Sequence, residues 1–470
     1  MSIFYKEGEV KKRPGLYKRY ENAGQGSVIG SQDGICAIPI QACWGPLGKV
    51  LKNSKDTELY ANYGSGAYGA NNTVPAAAAM FAGGASIVYT YRMGTGGTAG
   101  TYTIVEGLTA TAKYVGTLDI SIAIKEVLSD ATKKQIQIYV GTALVETFTF
   151  AADKTNEGAN LIAATADSKY VTITGEAATV PTVDVASGKL TGGANPTVTN
   201  ESYSAAYAAL EPYYYNTIAI DVDDDESMTK SHILQSYLDT AFEYGKYGIG
   251  VYGQKTTVAF ATRCANAKAF NDEKAVFLGG GYYAGAENKD GVLAICYTAG
   301  VIASTPSNQG ITHAVIKGAT DLCESLTHTQ YEDAIASGML MVSVSTDGLI
   351  WYDSGVNTLI VPADNQDEGW KKIRRVKVRF EAFDRLDRTL EPKVGRVSAD
   401  SDGSSDVIQA GQRVLDAMAK EGKLMPGPVF QADPNNPLAG DSAWYLIDAD
   451  DIDSLEKIYL LYRFRYSQQS

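Results

Sequence analysis

From residue 28 onward the chain alternates short apolar strands with helical stretches, and one long compositional break interrupts the alternation. The strand segments are Ile35–Ile40, Ser86–Tyr91, Ile218–Val222, Gly248–Tyr252, Ala275–Leu278 and Met339–Val344. Helical patterns fall between them at Ala76–Ala82, Ser227–Tyr244, Thr256–Phe270 and Gln330–Ser337. This rhythm predicts an α/β core domain, a sheet with helices on its faces. The break runs from Gly94 to Thr199, where Arg, Cys, His and Trp are absent and Thr, Ala, Val and Gly dominate. Within it Gln135–Val140, Val145–Phe150 and Tyr170–Thr174 alternate as half-exposed strands. The expectation is an inserted all-β domain, leaving the core after Arg92 and returning near Asn200, because exposed loop tips tolerate insertion.

The two ends differ from this middle. Residues 1–27 read as an extended arm, with Arg13-Pro-Gly-Leu-Tyr17 favouring a turn or polyproline-like conformation. Gly369–Glu391 sets Ile373, Val376, Phe380, Phe383, Leu386 and Leu390 on one helical stripe, although its first turns also read as a strand. Ten Lys and Arg against four Asp and Glu fall between Lys371 and Arg396, a basic patch in an acidic chain. Ser404–Lys420 reads as a second helix, with Val407, Gly411, Val414 and Met418 inward, and Ala443–Ile447 as a strand. The last feature, Lys457–Tyr466, is an aromatic ribbon. Ile458, Leu460, Tyr462, Phe464 and Tyr466 point one way; Lys457, Tyr459, Leu461, Arg463 and Arg465 point the other. Such an edge either closes the chain's own sheet or pairs with another chain. The domains expected are an arm at 1–27, a core at 28–93 plus 200–355, the insertion at 94–199, a C-terminal α+β domain at 356–454 and a strand arm at 455–470.

At 470 residues with 45% apolar and 20% charged content, the chain has the composition of an ordinary globular protein with full cores. Its net charge of -13 argues against nucleic acid as a partner, since phosphate binding needs a basic face. No apolar run is long enough to insert in a membrane. Cys36, Cys43, Cys264, Cys296 and Cys323 are odd in number and form no C-x-x-C pair, which fits reduced thiols better than a disulfide framework. The start Met-Ser-Ile-Phe-Tyr lacks the regions of a signal peptide, so synthesis and retention in the cytoplasm are expected.

Catalytic patterns are weak. Gly64–Gly69 matches G-x-G-x-x-G without a preceding strand or a following acid. Ser227-Met-Thr-Lys230 matches S-x-x-K, and Asp221–Glu226 is an acidic run after a strand, more simply read as helix capping than as a metal site. His232, His313 and His328 are scattered. No catalytic, cofactor or metal site is expected, and the chain reads as a non-enzyme.

Arg13-Pro-Gly-Leu-Tyr17, Trp44-Gly-Pro-Leu-Gly-Lys-Val50 and Gly83-Gly-Ala-Ser-Ile-Val-Tyr-Thr-Tyr-Arg92 are together similar to segments of contractile tail sheath proteins. Gly34–Val50, which contains Trp44-Gly-Pro-Leu-Gly-Lys-Val50, resembles the family's opening strand and W-G-P-x-G-K-V turn. Arg13–Tyr17 resembles its arm motif, and Gly83-Gly-Ala-Ser-Ile-Val-Tyr-Thr-Tyr-Arg92 its G-G-A-x-x-V-x-x-Y-R strand. Ala299–Ala303 with Asn308 and Gly310–Thr312, Gly355–Leu359 with Trp370–Arg375, and Asp453–Tyr459 follow in the family's order. The nearest flavour is the sheath of Firmicute phages, defective prophages and diffocin-like phage-tail-like bacteriocins. The resemblance implies a structural subunit that stacks as hexameric rings around a tail tube and contracts by rigid-body rearrangement. Partners implied are further copies of the chain, the tail tube protein, and baseplate and tail-terminator proteins, with no cofactor. Pro14, Tyr17, Ile458, Leu460, Tyr462, Phe464 and Tyr466 are the expected inter-subunit arm residues. Lys371, Lys372, Arg374, Arg375, Lys377 and Arg379 are a possible electrostatic face toward tube or neighbour. The alternative is a surface adhesin or binding protein that uses the 94–199 domain.

Overall fold

The computed structural model describes residues 2–4, 16–18, 32–226, 228–364 and 366–465. Pro14, Ser227 and Tyr466 lie outside these residues, and of Tyr17 only the backbone is described. The chain divides into two compact units, one of residues 32–384 with 451 onward, the other of residues 385–450 with the N-terminal segment.

The larger unit is built on a seven-stranded sheet in the order Met339–Leu340, Ala275–Leu278, Ile249–Gly253, Thr217–Ala219, Ile35–Ile40, Ile87–Arg92, Val50–Asn53. All neighbours are parallel except Val50–Asn53, which runs antiparallel to Ile87–Arg92 at the edge. Side chains alternate across it as the pleat requires. Cys36, Ile38 and Ile40 enter one core with helices Val74–Ala82 and Val292–Ser304. Ala37 enters the other, with helices Asn200–Leu210, Met228–Glu243 and Phe260–Phe270. The expected strand Met339–Val344 is two strands. Met339–Leu340 stays in the main sheet, while Val342–Val344 pairs with Ile350–Tyr352 in a separate hairpin.

Helices Val74–Ala82 and Val292–Ser304 touch backbone to backbone. A Cβ on Gly83 would overlap the Tyr297 carbonyl and stand 3.1 Å from the Cα of Gly300. A Cβ on Gly300 would overlap the Met80 carbonyl. Glycine here is a requirement of close approach, and it joins the Gly83-Gly84-Ala85 and Ala299-Gly300 motifs in one contact.

Residues 94–199 carry two three-stranded antiparallel sheets. One orders Val171–Gly175, Leu108–Ala112, Thr101–Val105; the other orders Ala143–Ala151, Asp130–Val140, Ile120–Val127. They enclose their own core of Ile120, Ile122, Ile124, Ile136, Ile138 and Leu161 among others. The segment is not all-β, because Glu157–Ala164 is a helix. Its start is fixed by the buried Glu157 carboxylate, which accepts from the Val180 amide (2.7 Å) and from Lys134 Nζ (2.9 Å).

Helix Ile373–Leu390, preceded by a 3-10 turn at Glu368–Lys371, starts in the larger unit, where Ile373, Val376 and Phe380 join the core. The division therefore falls within this helix, at 384/385, rather than at 356 as the sequence suggests. The smaller unit holds helix Ser401–Lys420, capped by the Asp400 carboxylate on the Gly403 amide (2.8 Å). It packs on the hairpin of Val429–Ala432 and Tyr445–Asp448, with Phe430 lying over Gly411. Arg385 donates two bonds to Glu421 there (2.9 and 2.7 Å). Strands Ser2–Phe4 and Leu16–Lys18 pair in parallel.

Candidate assembly site: the terminal arm and its root

Three stretches far apart in sequence meet at the root of the C-terminal arm. Arg375 donates from Nε and Nη2 to the two oxygens of Asp451 (2.5 and 2.8 Å), a bidentate geometry that fixes direction as well as charge. Arg379 donates to Asp451 (3.0 Å) and Asp367 (2.9 Å), with its guanidinium 4.4 Å above the Trp370 ring. Arg374 donates to the Ser454 hydroxyl (3.0 Å), and Lys372 pairs with Glu456. The Thr312 hydroxyl donates to Glu456 (2.8 Å) and accepts from the Gly355 amide (2.8 Å). A Cβ on Gly310 would stand 2.8 Å from Ser454 Oγ. Burial alone would raise the Asp451 carboxyl, but the bonds from Arg375 and Arg379 outweigh it and hold the group below the usual carboxylate range.

The basic stripe is consumed inside the chain. Lys371 pairs with Glu368 (2.7 Å), and the buried Lys377 ammonium donates to the carbonyls of Ile302 and Thr305 at the end of helix Val292–Ser304. Lys371, Lys372, Arg374, Arg375, Lys377 and Arg379 thus each have a hydrogen-bond or ion-pair partner within the chain. The acids matching Arg375 and Lys372 lie 76 and 84 residues further on, where no local pattern links them.

Beyond the root, Tyr462 stacks on Phe464 (6.1 Å between centroids) and the side chains are otherwise exposed among the described residues. Ile458 is 71% exposed, Leu460 69%, Tyr462 70% and Phe464 92%; on the other side Tyr459 is 88% and Leu461 80% exposed. Residues 457–465 find no ladder partner among the described residues, so the strand read from their alternation is an unpaired extended ribbon. Tyr466 lies outside the description.

A second junction went unread in the sequence. Arg92, fully buried, donates to the carbonyls of Ala42 (3.0 Å), Gly45 (2.6 Å) and Val115 (2.8 Å). Trp44 lies edge-on to Tyr114 (5.0 Å between centroids) and stacks on Tyr170 (5.8 Å). The Trp44 turn and the terminal Arg of the next strand motif together seal the neck of residues 94–199. The two motif letters were visible; their joint task was not, because 50 residues separate Arg92 from Ala42.

A cavity of about 630 Å³ opens at the carboxyl ends of Ile35–Ile40 and Thr217–Ala219, lined by Gln41, Thr73, Asp221, Asp223, Lys230 and Lys255 among others. This is the switch point of the sheet, where α/β proteins place ligands. Its acids are engaged. Asp221 accepts from the hydroxyl of Tyr203 (2.6 Å) and from Gln41 Nε2 (3.1 Å), and burial raises its carboxyl despite these bonds. Asp223 accepts from the Val292 amide (3.1 Å). Lys230 lies over the Tyr203 ring (5.5 Å). His313 stacks on Trp351 (4.0 Å), and His232 packs beside Phe270 (5.0 Å). Among the described residues, no group of three His, Cys, Asp or Glu could hold a metal ion. Among the described residues, no helix is long and apolar enough to cross a membrane.

The molecule is thus of one class: an α/β scaffold with a sealed insertion and a clamped, exposed apolar arm. The resemblance to tail sheath proteins is borne out. Residues 197–358 match the family profile of the phage tail sheath protein central domain. Two relatives in Bacillus subtilis (strain 168) align over most of the chain. The uncharacterized protein YqbK is 25% identical over 79% of this chain and 78% of its own. The phage-like element PBSX protein XkdK is 24% identical, over 86% and 85%. Among solved structures, a sheath tail protein of Desulfitobacterium hafniense matches with a TM-score of 0.71 at 20% identity, covering 93% of this chain and all of that one. The anti-feeding prophage helical sheath in its contracted state matches at 0.57 and 11%, covering 97% and 99%.

Proposed function

We propose that this chain is the structural subunit of a contractile tail sheath. Copies stack as hexameric rings around a tail tube, with the baseplate at one end and a tail terminator at the other. Each copy extends its arm so that Ile458, Leu460, Tyr462, Phe464 and Tyr466 pack on a neighbour while the backbone adds a strand to that neighbour's sheet. The N-terminal segment around Pro14 and Tyr17 takes the same part at the other end of the chain. The observation that carries this reading is the ribbon, whose Ile458, Tyr459, Leu460, Leu461, Tyr462 and Phe464 are exposed and which has no ladder partner among the described residues. The hairpin of the smaller unit supports it as an acceptor, since among the described residues no third strand pairs with it and Val429, Trp444, Leu446 and Ile447 are exposed.

The subunit is not an enzyme on this reading. Energy for movement is stored at assembly, and contraction exchanges one rigid-body packing of subunits for another. Negative-stain electron microscopy of the purified protein at high concentration is the test, repeated on co-expression with a tube protein. Hollow tubes wide enough to surround a tail tube are expected. Monomers under both conditions would sink the proposal.

A further inference from the structure

The arm root does more than locate the arm. We infer that Asp451–Glu456 is a mechanical anchor that carries tension from the arm into the larger unit and keeps residues 385–450 out of the path of that tension. The inference rests on the strand-donating arm proposed above, but its geometry is independent of it.

The connectivity makes the point. The chain leaves the larger unit at 384 and returns to it at 451, directly before the arm. Without a fixed return, any pull on residues 457–465 would run backward through 450 to 385 before reaching the main sheet. With one, the pull stops at Asp451–Glu456. That segment is tied by the Arg375 and Arg379 bonds to Asp451, by Arg374 to Ser454, and by Lys372 and Thr312 to Glu456. The Asp451 side chain is only 7% exposed, so water competes poorly for these bonds.

The receiving helix is held in turn. Ile373, Val376 and Phe380 are sunk in the main core. Lys377 reaches the last carbonyls of helix Val292–Ser304, which itself abuts helix Val74–Ala82 at Gly83 and Gly300. Load from the arm therefore passes through two helices into the parallel sheet. This assigns the basic stripe a role that its charge count did not suggest: it is the inner half of an anchor.

The experiment is single-molecule pulling on the full chain between a handle at the exposed Lys246 and the C-terminus. If the root bears load, the larger unit of the wild-type chain ruptures with no earlier extension. The variant R375M/R379M keeps the aliphatic stems but removes both cations from Asp451. It should show a first, low-force step of roughly 200 Å as residues 385–450 unravel, at 3.3–3.6 Å per residue. A wild-type chain that gives this step first overturns the inference.

In solution, cleavage of R375M/R379M by an Asp-specific protease ahead of Asp451 and Asp453 should rise at least tenfold with an unchanged circular dichroism spectrum. Unchanged cleavage counts against the anchor. A second variant guards against misfolding. K372E alone should loosen the root, and K372E/E456K should restore it to within about twofold of wild type; failure of that rescue also counts against the inference. Tube assembly is scored separately. Loss of tubes in the wild type removes the sheath reading, while the pulling trace still decides the anchor.

Discussion

Two pieces project from the larger unit, residues 94–199 and the terminal arm, and they are fastened in opposite ways. The first carries its own core and closes its neck with one buried cation and one indole, Arg92 and Trp44. The second is fastened by ion pairs at its base and then presents apolar side chains to solvent. A self-sufficient insertion buries what it has. Among the described residues the ribbon enters no core, and its exposure carries a physical cost that the strand donation proposed above would remove.

The largest effect that could break the comparison comes from truncation. Removing Lys457–Ser470 while keeping the root should leave the unfolding transition unchanged and abolish polymerisation, measured by sedimentation and electron microscopy. Replacing 94–199 with a short linker should leave assembly intact, provided that Trp44 is changed to a polar residue, since the deletion uncovers its ring. If the insertion proves essential and the arm dispensable, the contrast is reversed.

The neck can be weakened directly. Arg92→Met leaves the buried carbonyls of Ala42, Gly45 and Val115 without their donor, and a loss of about 3 kcal/mol or more should appear in urea unfolding. Gly300→Ala forces a methyl group into the Met80 carbonyl and should cost about 2–3 kcal/mol in the same assay without affecting the arm. If either variant is as stable as wild type, the corresponding close packing is wrong.

The smallest effect is one of pH. Two bonds from Arg385 lower the Glu421 carboxyl to about 2, against the opposing pull of partial burial. A depressed carboxyl adds stability above its unfolded value near 4.3, and that stability fades as pH falls toward 2. Glu421→Gln should therefore lower stability at neutral pH, where the ionised pair contributes in full, flatten the acid limb of the unfolding curve between those values, and change little near pH 2. Asp451 is shifted in the same direction, so acid should loosen the arm root before it loosens the neck.

The legible parts of this fold are those that local pattern controls. Ala275–Leu278 and Ile35–Ile40 were read to the residue because short apolar runs bounded by turn residues have few other uses. Helix Val292–Ser304 was not, since ten of its residues are buried and an all-round apolar helix shows no stripe. The eight-residue helix Glu157–Ala164 was hidden in a strand-rich segment, held by a Glu157–Lys134 pair that no window spans. The candidate site divides in the same way. The ribbon from Ile458 to Phe464 was visible as a period-two pattern, whereas its root depends on Arg375 meeting Asp451 across the fold. Charge counting saw ten cations and could not see that the chain supplies its own acids to many of them.

One consequence of the ribbon concerns the time before assembly. Because Tyr459 and Leu461 face opposite to Leu460 and Tyr462, the strand donation proposed above requires a receiving site that is a cleft rather than a ledge, since adding to a sheet edge cannot by itself dry both sides. Until it is filled, each newly made copy carries an adhesive strip. Only Lys457, Arg463 and Arg465 act there as gatekeepers against indiscriminate stacking. On the proposed sheath reading, the pool of free subunits is then limited by solubility, and supply of the chain must be matched to the ends that can take it up.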